Sequence, residues 1–106
     1  MQVRYALAFA LALALPARAA DYSGFWKVNC EDNVGLQIKA LQAGMYAISQ
    51  CRPEGCTKPG RYRPNTRIEG DKMYEVQTAT RIRVRYVEGG YSTYLRCTND
   101  PNDLPR

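Results

Sequence analysis

Three arginines at alternate positions within residues 79–97 are the side chains with the most evident chemistry in this sequence. Arg81, Arg83 and Arg85 alternate with Ile82, Val84 and Tyr86, and a β-strand points successive side chains to opposite faces. The three guanidinium groups, called the arginine row below, are therefore expected on one face, about 7 Å apart. Arginine chelates phosphate and carboxylate groups with two donors at once, so the row predicts an anion-binding surface.

A second basic segment lies at residues 52–67, RPEGCTKPGRYRPNTR. Its prolines and glycines forbid a continuous central strand, so we predict a long ordered loop. Arg61 and Arg63 flank Tyr62 there, and tyrosine can stack against a ligand or a cation. We expect these three residues, with Arg96, to form one contact surface with the arginine row.

A purely structural role for the arginine row is the alternative. Like charges side by side on a strand repel each other unless carboxylates on a neighbouring strand lie between them. Glu69 and Glu75 are the candidate internal partners. The sequence leaves both interpretations open.

Catalysis has little support in the sequence. There is no histidine, which is the usual acid or base near neutral pH. The carboxylate pairs Glu31/Asp32 and Glu69/Asp71 fall in predicted turns, where solvated carboxylates have no reason for a raised pKa. No C-x-x-C pair or phosphate-binding glycine loop occurs. We therefore predict no catalytic residues, no metal site, no cofactor and no enzymatic activity.

The elements that would position these residues are short strands. A first strand is expected over 24–30, and a hairpin over 79–97 around Gly89-Gly90. Between them, alternation predicts three strands with inward-facing pairs at Leu36 and Ile38, Tyr46 and Ile48, and Tyr74 and Val76. Six strands with turns every 8–12 residues predict an all-β fold, a small antiparallel barrel or sandwich of about six to eight short strands. The expected division is a signal peptide over 1–20, one domain over 21–97, and a polar tail over 98–106.

The first twenty residues have the layout of a secretory signal peptide. Arg4 precedes an apolar run over residues 5–15, and small residues follow it. The run is about half the roughly 20 residues that a membrane span needs, so no span is expected after cleavage. Without Arg4 and Arg18, the chain has 13 basic and 10 acidic residues. We predict a periplasmic or secreted protein, for which nucleic acid is not an expected partner.

All four cysteines lie in the part that would be exported. An even number in a small secreted domain predicts disulfide bonds. Of the three possible pairings we favour Cys30–Cys97 with Cys51–Cys56. The first would join the first strand to the last, as in a closing barrel, and both of its cysteines fall on faces that we expect to be inward.

Two resemblances accompany this pattern. Gly24-Phe25-Trp26 resembles the Gly-x-Trp of lipocalin-type barrels, in which a basic residue of the last strand covers the tryptophan, and Arg96 could take that role. In size, signal peptide and cysteine placement the chain resembles the small exported bacterial barrels that inhibit c-type lysozyme. Their inhibitory loop has a Ser-Gly-x-Arg-Tyr pattern, of which residues 58–62 keep a glycine and Arg61-Tyr62.

These observations predict an exported, non-catalytic binding domain for an anionic glycan or lipid of the cell envelope. The predicted contact residues are Arg61, Tyr62, Arg63, Arg81, Arg83 and Arg85. The alternative is a target protein as partner, with the 52–67 loop inserted into the active site of a lysozyme or a secreted protease. A hydrolase acting through a glutamate or an aspartate is a third interpretation.

Overall fold

The fold is all-β, as predicted. A computed structural model describes residues 21–103, so the predicted signal peptide lies outside the described residues. The strands are β1 Gly24–Lys27, β2 Gly35–Ala40, β3 Tyr46–Arg52, β4 Gly55–Cys56, β5 Gly60–Tyr62, β6 Met73–Thr78, β7 Arg81–Arg85 and β8 Tyr91–Thr98. Within residues 21–103 no helix is long and apolar enough to cross a membrane.

All strand pairs are antiparallel and belong to one sheet. Its order is β4-β3-β2-β1-β8-β7-β6, and β5 pairs with β3 beside β4. The first strand pairs with the last, with Trp26 opposite Arg96, so that part of the predicted closure is confirmed. Within residues 21–103 the sheet does not close into a continuous barrel, because no ladder joins β5 to β6.

The inner face of the sheet is filled by large side chains. Trp26 is fully buried, and around it pack Leu36, Ile38, Tyr46, Ile48, Tyr74, Ile82 and Val84. The inward pairs predicted on β2 and β3 and the alternation of β7 are thus confirmed. The interior leaves a cavity of about 20 Å³, which is room for about one water molecule. Ligand storage inside the sheet therefore has no space in the described part of the chain.

Gly24 shows why the first strand begins as it does. Its φ is +151°, and a Cβ at this position would collide with the carbonyl oxygen of Thr98. The absence of a side chain lets β1 approach the end of β8 closely enough to pair. The ladder is irregular at the next step, between Phe25 and Trp26, and both of these residues are fully buried.

The prediction for the end of the first strand was wrong. Strand β1 ends at Lys27, Val28 is exposed, and Cys30 lies in a turn. The cause is Asn29, whose carbonyl and side-chain oxygens accept hydrogen bonds from the amides of Asp32 (2.9 Å) and Glu31 (3.0 Å). Asparagine favours such turns over a continuing strand.

Both predicted disulfides are present, Cys30–Cys97 and Cys51–Cys56, and they place the chain among proteins of oxidising compartments. The predicted inward position of Cys30 and Cys97 was wrong. On β8 it is Arg96 that faces Trp26, so its neighbour Cys97 lies on the outer face. The first disulfide therefore joins the outer side of β8 to the turn after β1.

The segment 52–67 is more regular than predicted. It contains β4, which pairs with β3 at Cys51–Arg52, and β5, which pairs with β3 at Tyr46–Ile48. Pro53 and Pro59 lie just outside these short pairings, so the sheet loses no hydrogen bond to them. Beyond the predicted domain boundary, β8 continues to Thr98, and the Pro101 carbonyl accepts a hydrogen bond from Gln37 Nε2 (2.6 Å).

Candidate anion-binding face

The arginine row lies on the outer face of β7, between β6 and β8. Ile82 and Val84 are buried on the inner face, whereas Arg81 is exposed and Arg83 and Arg85 are half-buried. On β6 the residues opposite Arg81, Arg83 and Arg85 are Thr78, Glu75 and Met73. On β8 they are Leu95, Thr93 and Tyr91. The three guanidinium groups meet different neighbours, so their charges are not equally available.

Arg85 is the neutralised member of the row. Its Nε donates a hydrogen bond to Glu75 Oε1 within an ion pair. Glu75 was one of the two predicted internal partners, and here it compensates the arginine nearest the β7–β8 turn. No ion pair of Glu69 is found within residues 21–103.

Arg83 is held by uncharged groups. With the Gln77 amide oriented so that its oxygen faces the guanidinium group, this oxygen accepts from Nε (3.1 Å) and Nη2 (2.9 Å). On its other side, the guanidinium carbon of Arg83 lies 4.3 Å from the centre of the Tyr91 ring. The guanidinium carbon of Arg85 lies 5.8 Å from the centre of the same ring. These contacts orient Arg83. Glu75 is its cross-strand partner on β6, but within residues 21–103 that carboxylate forms its ion pair with Arg85 and none is formed by Arg83.

Arg81 is the free member of the row. Within residues 21–103 its side chain has no ion-pair or hydrogen-bond partner. Directly opposite on β8 stands Leu95, and opposite Leu95 on β1 stands Lys27. Cross-strand partners point to the same face, so the outer surface carries Arg81, Leu95 and Lys27 side by side, with Arg83 adjacent.

The other predicted contact residues lie elsewhere. Arg63 Nη1 donates to the carbonyl of Ala43 (2.8 Å) in the β2–β3 turn, and Arg61 lines an open cavity beside the same turn. Tyr62 packs on the core, with its ring centre 4.6 Å from that of Tyr74 and its hydroxyl donating to Asp71 Oδ2 (3.2 Å). Strands β5 and β7 are not neighbours in the sheet, so this group and the arginine row form two separate surfaces.

Arg96 does not join the outer face either. Its guanidinium carbon lies 5.4 Å from the centre of the Trp26 ring. Nη2 donates to the carbonyls of Ser23 (2.6 Å) and Asp21 (2.5 Å). The backbone amide of Arg96 donates to the carbonyl of Thr80 (2.9 Å). The expectation of Arg96 in the contact surface was wrong, because this side chain points inward and ties the start of the domain to β8.

Lys27 and Tyr91 are members of the face that sequence reasoning missed. For Tyr91 a signal existed: five residues, 86–90, separate Arg85 from Tyr91, and a hairpin that pairs these two residues puts them on one face. Lys27 could not be found in this way, because it reaches the face only through the pairing of β1 with β8.

Two tyrosines that pack in the interior, Tyr74 and Tyr94, have raised pKa values. Burial raises the pKa of Tyr74 far above its ordinary value, and burial beside Tyr86 raises the pKa of Tyr94 to about 12. Both hydroxyls therefore stay protonated at neutral pH. Residues 21–103 also contain no group of three His, Cys, Asp or Glu side chains placed to hold a metal ion.

Comparisons of the chain with protein-family models, with curated proteins and with solved structures find no match.

Proposed function

We propose that this protein is an exported, non-catalytic domain that binds an anionic component of the cell envelope through the outer face of β7 and β8. The observation that carries the proposal is the arginine row, in which Arg85 is the one member that forms an ion pair within residues 21–103. Arg81, Arg83 and Lys27 supply three further positive charges on one surface. The two disulfides fit export to the periplasm or to the medium.

The chemistry of the face suits phosphate and carboxylate groups. Arg83 is pre-oriented by Gln77 and Tyr91, so less side-chain freedom is lost when it grips an anion. No hydrogen-bond or ion-pair partner within residues 21–103 occupies the side-chain donors of Arg81. Hydrogen bonds to charged groups contribute about 1.5–3 kcal/mol each, so the loss of each arginine should weaken binding to a soluble anion by about tenfold or more.

The proposal is tested with the double variant R81S/R83S and two defined polyanions, sodium polyphosphate and polygalacturonate. The matched control is R61S/R63S, which removes the same charge from the separate surface on the other side of β3. We expect R81S/R83S to lose affinity for the polyanions, and the remaining binding to depend less steeply on salt. Equal losses in both double variants would mean that overall charge, and not this face, determines binding.

A second candidate function, inhibition of a lysozyme or a secreted protease, is favoured by the hairpin after β3. Residues 52–59 are all exposed, and the Cys51–Cys56 disulfide closes the hairpin at its base. A protruding loop that is already rigid loses little entropy when it enters an active site.

The inhibitor proposal is tested by adding the oxidised protein to bacterial lysis by a c-type lysozyme and to a panel of secreted proteases. We expect K58A, within the exposed segment, to weaken inhibition, and K39A, at an exposed position of β2, to leave it unchanged. Full enzyme activity at a molar excess of the protein would rule this function out.

A further inference from the structure

The β7–β8 hairpin carries exposed apolar side chains between its positive charges. Tyr91 is 55% exposed, Leu95 is 38% exposed, and Val87 in the connecting turn is 58% exposed. Leu95 is flanked across the sheet by Arg81 and Lys27. Removing apolar side chains of this size from water is favourable, so three of them on one exposed hairpin, among its positive charges, make it a candidate contact surface.

The turn at the end of this hairpin is held by the backbone and is free of the core. The Tyr86 amide donates to the carbonyl of Gly90 (3.1 Å), and the Gly89 amide donates to that of Tyr86 (3.2 Å). Residues 87–90 are all exposed. Val87 is therefore presented on a fixed turn at one end of the face.

We propose that the anionic partner of this face is the surface of a lipid bilayer, on which the hairpin docks without crossing it; this inference rests on the proposed function. A soluble polyanion would engage Arg81, Arg83 and Lys27 but would leave Val87 and Leu95 in water. A bilayer of anionic lipids matches both kinds of side chain on this face. Its headgroups carry negative charges for the cations, and the boundary of its acyl chains can bury the apolar side chains.

The arrangement of side chains suits the membrane interface. The long stems of arginine and lysine can lie along apolar surface while their charged ends reach the headgroups. Tyrosine is enriched at the level of the headgroups, and Tyr91 already lies against Arg83. Lys27 and Arg81 are separated by two strand spacings, about 10 Å, so that Leu95 can enter the interface between them.

Two carboxylates oppose this docking, Glu75 on the neighbouring strand β6 and Glu88 in the turn of the hairpin. Glu75 is already paired with Arg85, so its charge is largely compensated. Glu88 is exposed in the turn beside Val87 and has no ion-pair partner within residues 21–103. The proposal therefore predicts that E88Q binds anionic vesicles more tightly than the unchanged protein does.

The experiment uses the oxidised protein with phosphatidylcholine vesicles that contain or lack phosphatidylglycerol, and with sodium polyphosphate as the soluble anion. The variants are V87S/L95S, which removes apolar surface, R81S/R83S, which removes charge, and E88Q. The matched control is L41S/I68S, because Leu41 and Ile68 are similarly exposed outside the hairpin. Emission from buried Trp26 verifies that each variant is folded.

We expect V87S/L95S to weaken binding to anionic vesicles by roughly tenfold and to leave polyphosphate binding unchanged. R81S/R83S should weaken binding to anionic vesicles and to polyphosphate. For the vesicles, we expect a loss of about fivefold for each arginine removed. L41S/I68S should match the unchanged protein, and vesicles without phosphatidylglycerol should bind much less.

The outcomes separate this inference from the proposed function. If V87S/L95S binds anionic vesicles as L41S/I68S does, or if polyphosphate binds and vesicles do not, the lipid inference is wrong and the anion-binding function stands. If neither vesicles nor polyphosphate bind, both are wrong.

Discussion

At the scale of single residues, Arg96 is the side chain on which the start of the domain depends. It lies against Trp26 and donates to two carbonyls of the segment before β1, those of Asp21 and Ser23. The indole Nε1 in turn donates to the carbonyl of Tyr22 (2.9 Å). A planar guanidinium can satisfy carbonyls and cover an aromatic ring at once, which an ammonium group cannot do as well.

The change R96Q should therefore lower the free energy of unfolding by about 2–3 kcal/mol, because hydrogen bonds from a charged donor and a cation–π contact are lost together. The free energy of unfolding of R96K should lie between those of R96Q and the unchanged protein, because lysine keeps the charge but lacks the planar guanidinium group. The measurement is urea denaturation of the oxidised protein, followed by Trp26 fluorescence.

R81Q is the matched control for this prediction. It removes the same charge from a surface arginine without partners in the described chain, and we expect a change within about 0.5 kcal/mol. Equal stabilities of R96Q and R81Q would show that the contacts of Arg96 contribute nothing to the fold.

At the scale of elements, the alternation of apolar and polar residues predicted those strands whose two faces differ clearly in polarity. On β2 and β3 the inward residues are aliphatic or aromatic and most of their neighbours are polar, so only one orientation buries the apolar set. On β7 the outward residues are all arginines, and the arginine row was found on the same ground.

Strand β8 shows where alternation fails. One of its faces carries Tyr94 and Arg96, and the other carries Leu95 and Cys97, so a count of apolar residues favours the wrong face. The inner position of Arg96 becomes understandable only from its contact with Trp26, about 70 residues earlier in the chain. The same kind of distant pairing adds Lys27 to the candidate site, and no local pattern contains it.

At the scale of the whole molecule, the open seam of the sheet is its least expected property. From β5 to β6 the sheet runs β5-β3-β2-β1-β8-β7-β6 with every neighbouring pair antiparallel. An odd number of strands, seven, leaves the two edges running in the same direction, so they cannot complete the antiparallel pattern. An unpaired edge would expose backbone donors and acceptors to association with other chains.

Asn65 takes the place of the missing ladder. Its amide donates to the Tyr74 carbonyl (2.7 Å), and its side-chain oxygen accepts from the Val76 amide (2.9 Å). Its φ of 62° lies in the left-handed region, which asparagine tolerates better than most residues. One residue thus satisfies two of the backbone groups of β6 that face the seam.

We predict that Asn65 sets the stability of this seam. N65A should destabilise the protein by about 2 kcal/mol, because it loses the side-chain acceptor and places a Cβ-bearing residue at positive φ without compensation. N65G keeps the backbone conformation and should lose about 1 kcal/mol. N65D keeps the side-chain acceptor and tolerates the positive φ, so it should resemble the unchanged protein.

The direct measurement is amide hydrogen exchange at Val76, which should be faster in N65G and N65A but not in N65D. The amide of buried Ile82, in the centre of the sheet, is the internal reference. If Val76 exchanges equally slowly in all three variants, the seam is held by the packing of Tyr62 on Tyr74 and not by Asn65.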